Sequence, residues 1–382
     1  MNKYYNHTSN YDKYPVVNVP GTDGECYTGW DAIAECLNRD LMKINEKVKV
    51  VVLECYQGVL DEEVVASLQA RFPASHWFYS ADAMLSSDEI NAILKQDITD
   101  DEIFGYMTRL NMDCYFDGKK LAELRSKVAA VKEGVVFVYG VGAAYVQQVY
   151  DLLVYADMAR WEIQMRFRRN KISNVGVENK EERASLQYKR AFFVDWRICD
   201  RFKKKLMREW DYVLDTNIAG TPKMATGKAV WAGLEKASQT PFRVVPFFDP
   251  GPWGGQWMKE VCDLDRNTAN FAWCFDCVPE ENSLYLGFGD VRFEIPSIDL
   301  VFAYPARLLG NPVYGRFGDE FPIRFDFLDT MGGGNLSLQV HPLTQYIQEK
   351  FGMHYTQDES YYMLDATEDA TVYLGVKENI NP

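Results

Sequence analysis

The sequence has no long apolar run, no surplus of positive charge and no paired cysteine framework, and each absence excludes a class of protein. Its longest near-apolar stretch, residues 134–146, has thirteen residues, short of the ~18–20 that a membrane-spanning helix needs. The opening segment MNKYYNHTSNYDKYPVV has no apolar centre, so it does not read as a secretory signal. Lys and Arg number 41 against 55 Asp and Glu, a net charge of −14. That balance argues against binding the phosphate backbone of nucleic acid and against attraction to anionic membrane surfaces. The eight cysteines, at 26, 36, 55, 114, 199, 262, 274 and 277, are scattered, as expected of reduced thiols in a cytoplasmic chain. Cys274-x-x-Cys277 is the one close pair, and without a second pair it makes neither a zinc framework nor a redox motif. In that compartment the sequon Asn6-His7-Thr8 carries no meaning.

What is present is ample core material: 47% of the 382 residues are hydrophobic and 14% aromatic. That length suits two or three domains. Residues 4–19 read as an extended aromatic arm. The spacing predicts a helix over 30–38, with Ile33 and Leu37 four apart on one face. The run VKVVVLE at 48–54 reads as a strand buried in a parallel sheet. Further strands are expected at 77–80, 112–116, 135–139, 151–155 and 212–214. Helices are expected at 61–72, 88–94, 118–131, 158–169 and 181–205. This alternation predicts an α/β domain over 1–219, an open, largely parallel sheet covered on both faces. A connecting helix is expected within 220–240.

Three stretches of that first half, MDCYFD (112–117), VVFVYGVGA (135–143) and LLVYADMARWEIQMRFRR (152–169), resemble P-loop kinases of the uridine-kinase type. The phosphate-cradling G-x-x-x-x-G-K-[ST] is missing. After the first strand stands ECYQGVLDEE (54–63), with one glycine and no lysine, and Asp61, Glu62 and Glu63 fall on the first turn of the next helix. They satisfy that helix's dipole and repel a triphosphate. The resemblance therefore implies a degenerate kinase fold without ATP hydrolysis. Arg160, Arg166, Arg168, Arg169 and Lys171 form the dense positive cluster, read as a solvated face in preference to an anion pocket. Gly140-Val-Gly142 reads as a tight turn. Trp161, Ile163, Met165 and Phe167 are expected to anchor the arginine-bearing helix to the sheet.

From residue 241 the texture changes to short alternating strands, expected at 243–248, 271–275, 284–288, 291–295 and 322–328, with a helix over 298–309. This predicts a β-rich barrel domain over 241–382. Within it, Ser337, Gln339 and His341 alternate with Leu336, Leu338 and Val340, so on a strand they share one face. A helix over 343–351 follows, and Glu359 opens a second strand, ESYYMLDA, from which a carboxylate can return to the same spot. Imidazole, carboxylate and amide oxygen form a ligand set suited to Zn, Fe or Mn.

The run QVHP, the later E-x-Y-Y-x-L-D and TVYLG (371–375) resemble the first metal motif of type I mannose-6-phosphate isomerases, cupin-fold zinc enzymes. Pro252-Trp253-Gly254-Gly255 and Phe321-Pro322 with Phe325, Phe327 and Leu328 extend the likeness upstream over about 241–382. The resemblance implies a cupin domain, zinc or another divalent metal on Gln339, His341 and Glu359, and Trp253 and Ser337 lining a sugar pocket. It implies interconversion of mannose 6-phosphate and fructose 6-phosphate, with a sugar phosphate as the partner. Asp326 and Gln357 stand where the family carries lysines. The family's last metal histidine and late basic residues have no counterpart before Pro382, so no catalytic residue is assigned. An incomplete barrel is expected to self-associate through 321–376 or to need a further segment. The rival expectation is a non-catalytic sugar- or metal-binding regulatory module with a degenerate kinase domain.

Overall fold

The computed structural model describes residues 8–375 and 378–379. Residues 4–7 of the expected arm, with Asn6 and His7 of the sequon, lie outside them. A short strand β1 (Val16–Asn18) is followed by β2 (Cys26–Thr28) and helix α1 (Trp30–Leu41), which buries Ile33, Leu37 and Leu41 at four-residue spacing. The apolar run then forms β3 (Val48–Cys55), fully buried from Val51 onward. Helix α2 (Asp61–Arg71), strand β4 (His76–Tyr79) and α3 (Ser87–Ile98) follow. Ser86 and Glu89 close a capping box on α3, each satisfying the other's backbone amide. Asp117 caps α4 (Gly118–Ala130) by accepting from the amides of Lys119 and Lys120.

Strand β5 (Gly134–Gly140), the short α5 (Ala143–Val146), β6 (Leu152–Asp157) and α6 (Arg160–Arg168) come next. The expected helix over 181–205 is α7 (Ala184–Arg190) and α8 (Trp196–Leu206), joined through a π-turn at Ala191–Asp195. Strands β7 (Tyr212–Asp215) and β8 (Lys223–Thr226) lead into α9 (Gly227–Gln239).

Among the described residues the largest sheet has seven strands in the order β2-β8-β7-β6-β3-β5-β4. β7-β6-β3-β5-β4 is parallel throughout; at one side β8 pairs antiparallel with β7, and β2 antiparallel with β8. The expected parallel α/β sheet is therefore present, with β3 at its centre. The strand expected at 112–116 is instead a 3-10 turn, Met112–Tyr115, followed by an isolated bridge from Phe116 to Met84. Its Tyr115 is buried and donates to Asp195 at 2.6 Å; a short apolar run has no periodicity that separates strand from buried turn.

In the second half, β9 (Phe247–Asp249), α10 (Trp257–Val261) and β10 (Trp273–Cys277) precede the hairpin β11 (Ser283–Phe288) and β12 (Val291–Pro296). β1 adds to β11 in parallel. Helices α11 (Ile298–Ala303), α12 (Pro305–Leu309) and α13 (Asn311–Phe317), strand β13 (Phe325–Leu328) and helix α14 (Thr344–Phe351) complete the elements. The single helix expected over 298–309 breaks at Tyr304, whose extended φ of −136° is what a following proline favours.

One hydrophobic core runs from Val17 to Leu300 and joins Val213 and Leu234 to Leu284, Leu286, Phe293 and Ile295. It does not break at residue 241: α9 packs against β11 so closely that a Cβ on Gly233 would lie 2.7 Å from Leu286 Cδ1. A smaller cluster of Met258, Phe271 and Cys274 lies beside the sheet β13-β10-β9. No closed barrel forms among the described residues; the two three-stranded sheets stay open. Among the described residues the strands expected at 336–341 and 359–366, and the run TVYLG at 371–375, pair with no other strand, and Leu338, Val340, Tyr362 and Leu374 are exposed. Their alternation supplies two faces, yet a strand also needs a neighbouring backbone. No helix of the described residues is long and apolar enough to cross a membrane.

Candidate functional site

In open parallel sheets ligands bind beyond the carboxyl ends of the strands, where the strand order reverses. Here that place is the turn Tyr56–Leu60 after β3. Gly58 adopts φ +101°, and a Cβ on it would meet Ile163 Cγ1 of α6 at 2.8 Å. The buried Arg166 donates from Nη1 to the Gly58 carbonyl at 2.7 Å and from Nη2 to the carbonyls of Thr216 (2.6 Å) and Asn217 (3.1 Å). Its Nε donates to Glu162 at 3.0 Å. The turn thus offers a carbonyl to a buried cation where a phosphate cradle offers amides to an anion. Asp61, at the start of α2, accepts from the Tyr139 hydroxyl at 2.7 Å, and Glu63 accepts from the Gly220 amide at 2.9 Å.

The second amide cluster is also occupied. Gly140 and Gly142 both adopt positive φ, as the tight turn requires. The amides of Gly142 and Ala144 donate to the Glu54 carboxylate at 2.7 and 2.8 Å. The acceptor at this nest is the protein's own carboxyl group. Burial pushes the Glu54 carboxyl up to about 8, against the pull of those amides.

The arginine cluster is committed to protein acceptors, and two of its members are buried, contrary to a solvated face. Arg160 bonds both oxygens of Asp200 at 2.5 and 2.6 Å and the Glu280 carbonyl at 3.0 Å. Arg168 makes a two-pronged contact with Asp249 at 2.8 Å each, and Arg169 reaches Glu162 at 2.7 Å. Ile163 and Phe167 are fully buried, as the anchoring expectation required, whereas Trp161 stacks on Phe247 at 4.1 Å. Sequence reasoning passed over Lys203. It is fully buried on α8, with Nζ 2.8 and 2.7 Å from the Asp157 oxygens and 2.9 Å from Asp299. The spacing Trp196, Cys199, Lys203, Leu206 places it in an apolar helical stripe, the signal that could have found it.

In the C-terminal segment His341 Nε2 lies 2.7 Å from Glu359 Oε2, with both side chains about a quarter to a third exposed. Helix α14 lies between them in the sequence, and the return of the chain is closed where Thr356 Oγ1 donates to the Pro342 carbonyl at 2.5 Å. Burial, then the nearby Glu359, raises the Asp326 carboxyl of β13; burial, then its hydrogen bond to Glu359, pushes Tyr361 up to about 12. Gln339 and Ser337 sit on exposed chain. Trp253 is buried in the 253–273 corner, edge-on to Trp273 at 4.8 Å, its carbonyl accepting from Gly334 at 3.0 Å. The structure brings His341 and Glu359 together. At this separation the two groups are in direct hydrogen-bond contact; as donors on one tetrahedral cation with bonds of about 2.0–2.2 Å they would stand about 3.4 Å apart, so a small parting of the two side chains would make room for the ion. No group of three or more His, Cys, Asp or Glu side chains among the described residues is placed to hold a metal.

These features define a mixed α/β protein with a large, mainly parallel sheet and two smaller open sheets. The chain belongs to the family described as Domain of unknown function (DUF8485), which matches residues 29–239, more than half of its length. That span runs from the start of α1 to the end of α9 and takes in β3 to β8 of the large sheet. No curated protein matches the chain.

Proposed function

We propose that the chain carries a metal-dependent aldose–ketose isomerase site of the mannose-6-phosphate isomerase type, set on a kinase-like α/β platform that binds no nucleotide. The observation that carries this reading is the 2.7 Å approach of His341 to Glu359 across an intervening helix. These are two of the three residues that the motif likeness selects as ligands. Gln339 completes the set, and zinc or a similar divalent cation is the metal its donors suit. Such a metal supplies polarisation of the sugar oxygens during proton transfer between C1 and C2. His341 and Glu359 hold it, and Trp253 and Ser337 belong to the sugar side of the site. The central placement of β3 and the arginine-bearing α6 directly after β6 support the kinase-like reading of the platform.

The test is conversion of mannose 6-phosphate to fructose 6-phosphate by zinc-supplemented protein. The expected result is turnover that disappears with a chelator and in His341→Ala. Equal rates in the folded His341→Ala variant contradict it. A second reading, a non-catalytic sugar- or metal-binding regulatory module, is favoured by the filled turn at Gly58 and Arg166. It expects metal binding through the same residues with no turnover.

A further inference from the structure

Arg197 and Arg201 lie one turn apart on α8, the spacing that puts two side chains on one helix face. Nε and Nη2 of Arg197 and Nε of Arg201 are buried and have no hydrogen-bond partner. The nearest carboxylate oxygen, Asp200 Oδ2, is 4.0 Å from Arg197 Nη2. Asp200 is already engaged by Arg160 and by the Tyr56 hydroxyl at 3.0 Å. The Arg197 guanidinium lies 5.2 Å from the Phe192 ring, and Arg201 donates from Nη2 to the Leu110 carbonyl. Burial, then the neighbouring Arg197, holds the Arg201 guanidinium below its usual range.

Carboxylates near this pair are engaged elsewhere, Asp195 by Arg190 and the Tyr115 hydroxyl and Asp97 by the Thr108 hydroxyl. Arg160 with Asp200 and Arg324 with Glu280 cancel within themselves. Glu281, which accepts from Tyr188 and Gln164, is pushed up by burial. Glu320 is likewise pushed up by burial, with Arg197 and then His354 pulling the other way. Two guanidinium groups therefore remain with buried, unused donors, an arrangement that is costly unless an acceptor arrives. Tyr56, which bonds Asp200, follows directly on β3, so the pair lies toward the carboxyl ends of the strands, the side where such sheets bind ligands.

We infer that Arg197 and Arg201 form a binding site for a phosphate-type oxyanion, carried on a sugar phosphate or present as free phosphate. The planar fork of donors on each guanidinium matches such an anion, and a desolvated fork binds it more strongly than an exposed lysine does. The site uses neither His341 nor Glu359 and stands whether or not these hold a metal.

The experiment is calorimetry on the full chain at neutral pH with inorganic phosphate in one arm and glucose 6-phosphate in the other. Saturable one-site binding is expected, weakened about tenfold or more in Arg197→Met and in Arg201→Met. The tighter arm identifies the source of the anion. In wild-type protein, phosphate should also shield Arg197 from an arginine-selective dicarbonyl reagent, a readout that does not depend on a variant folding. Equal binding by wild type and folded Met variants, no saturable binding, or unchanged Arg197 reactivity would overturn the inference.

Discussion

The buried guanidinium of Arg166 donates to the carbonyl oxygen of Gly58 at 2.7 Å, from one helix into the turn that follows the central strand. With Ile163 against the same glycine, α6 fills the space where a kinase-like fold would receive phosphate. Opening that space exposes three carbonyls, on Gly58, Thr216 and Asn217, that Arg166 now satisfies. Calorimetry with Mg-ATP should therefore show no saturable binding in the wild-type chain. A dissociation constant in the low micromolar range would show that α6 moves aside. Arg166→Ala should leave ATP binding absent and lower stability by about 3 kcal/mol or more, since it orphans buried acceptors.

Lys203 joins Asp157 at the end of β6 to Asp299 on α11, and so ties residues beyond 241 to the large sheet. Removing the cation leaves two buried carboxylates facing each other. Lys203→Met should cost about 3–5 kcal/mol in urea unfolding. Adding Asp299→Asn to it should recover part of that loss: burial and then Asp157 already hold the Asp299 carboxyl well above the usual range, and a neutral amide removes that opposition. A double variant no more stable than the single would mean that the lysine acts through packing alone.

Glu54 gives the stability a pH dependence of defined sign. Burial pushes its folded carboxyl up to about 8, above the ordinary value of 4.5. The folded state therefore holds the proton more tightly than the unfolded state. The contribution is complete below the unfolded value and is lost as pH rises through the folded one. Glu294, buried beside Asp215 and pushed up to about 7, adds a slope of the same sign. Urea midpoints at acidic, neutral and alkaline pH should fall with rising pH, and less steeply in Glu54→Gln than in wild type. Parallel slopes would remove Glu54 from the account.

Much of the α/β part was legible because burial writes itself into the sequence. The run Val48–Cys55 is apolar since both of its faces are covered, and Ile33 and Leu37 recur at helical spacing. The turn at 112–115 misled because four residues are too few to show a period. The strands expected around Leu338, Tyr362 and Val372 misled for a different reason. Alternation describes one chain, while a strand is a relation between two backbones, and these segments have no partner strand among the described residues. At the candidate site, chemistry and order of residues were enough to pair His341 with Glu359. They could not show that Arg197 and Arg201 keep unused donors, since that depends on which carboxylates Arg160 and Arg324 have already taken.

The central claim, a divalent metal held at His341 and Glu359, is tested most directly by elemental analysis. Protein stripped with a chelator, reloaded with zinc and dialysed should retain about one zinc per chain. The folded variants His341→Ala and Glu359→Gln should retain almost none, and Gln339→Ala an intermediate amount. Equal zinc in wild type and in both variants, or none in wild type, would contradict the claim.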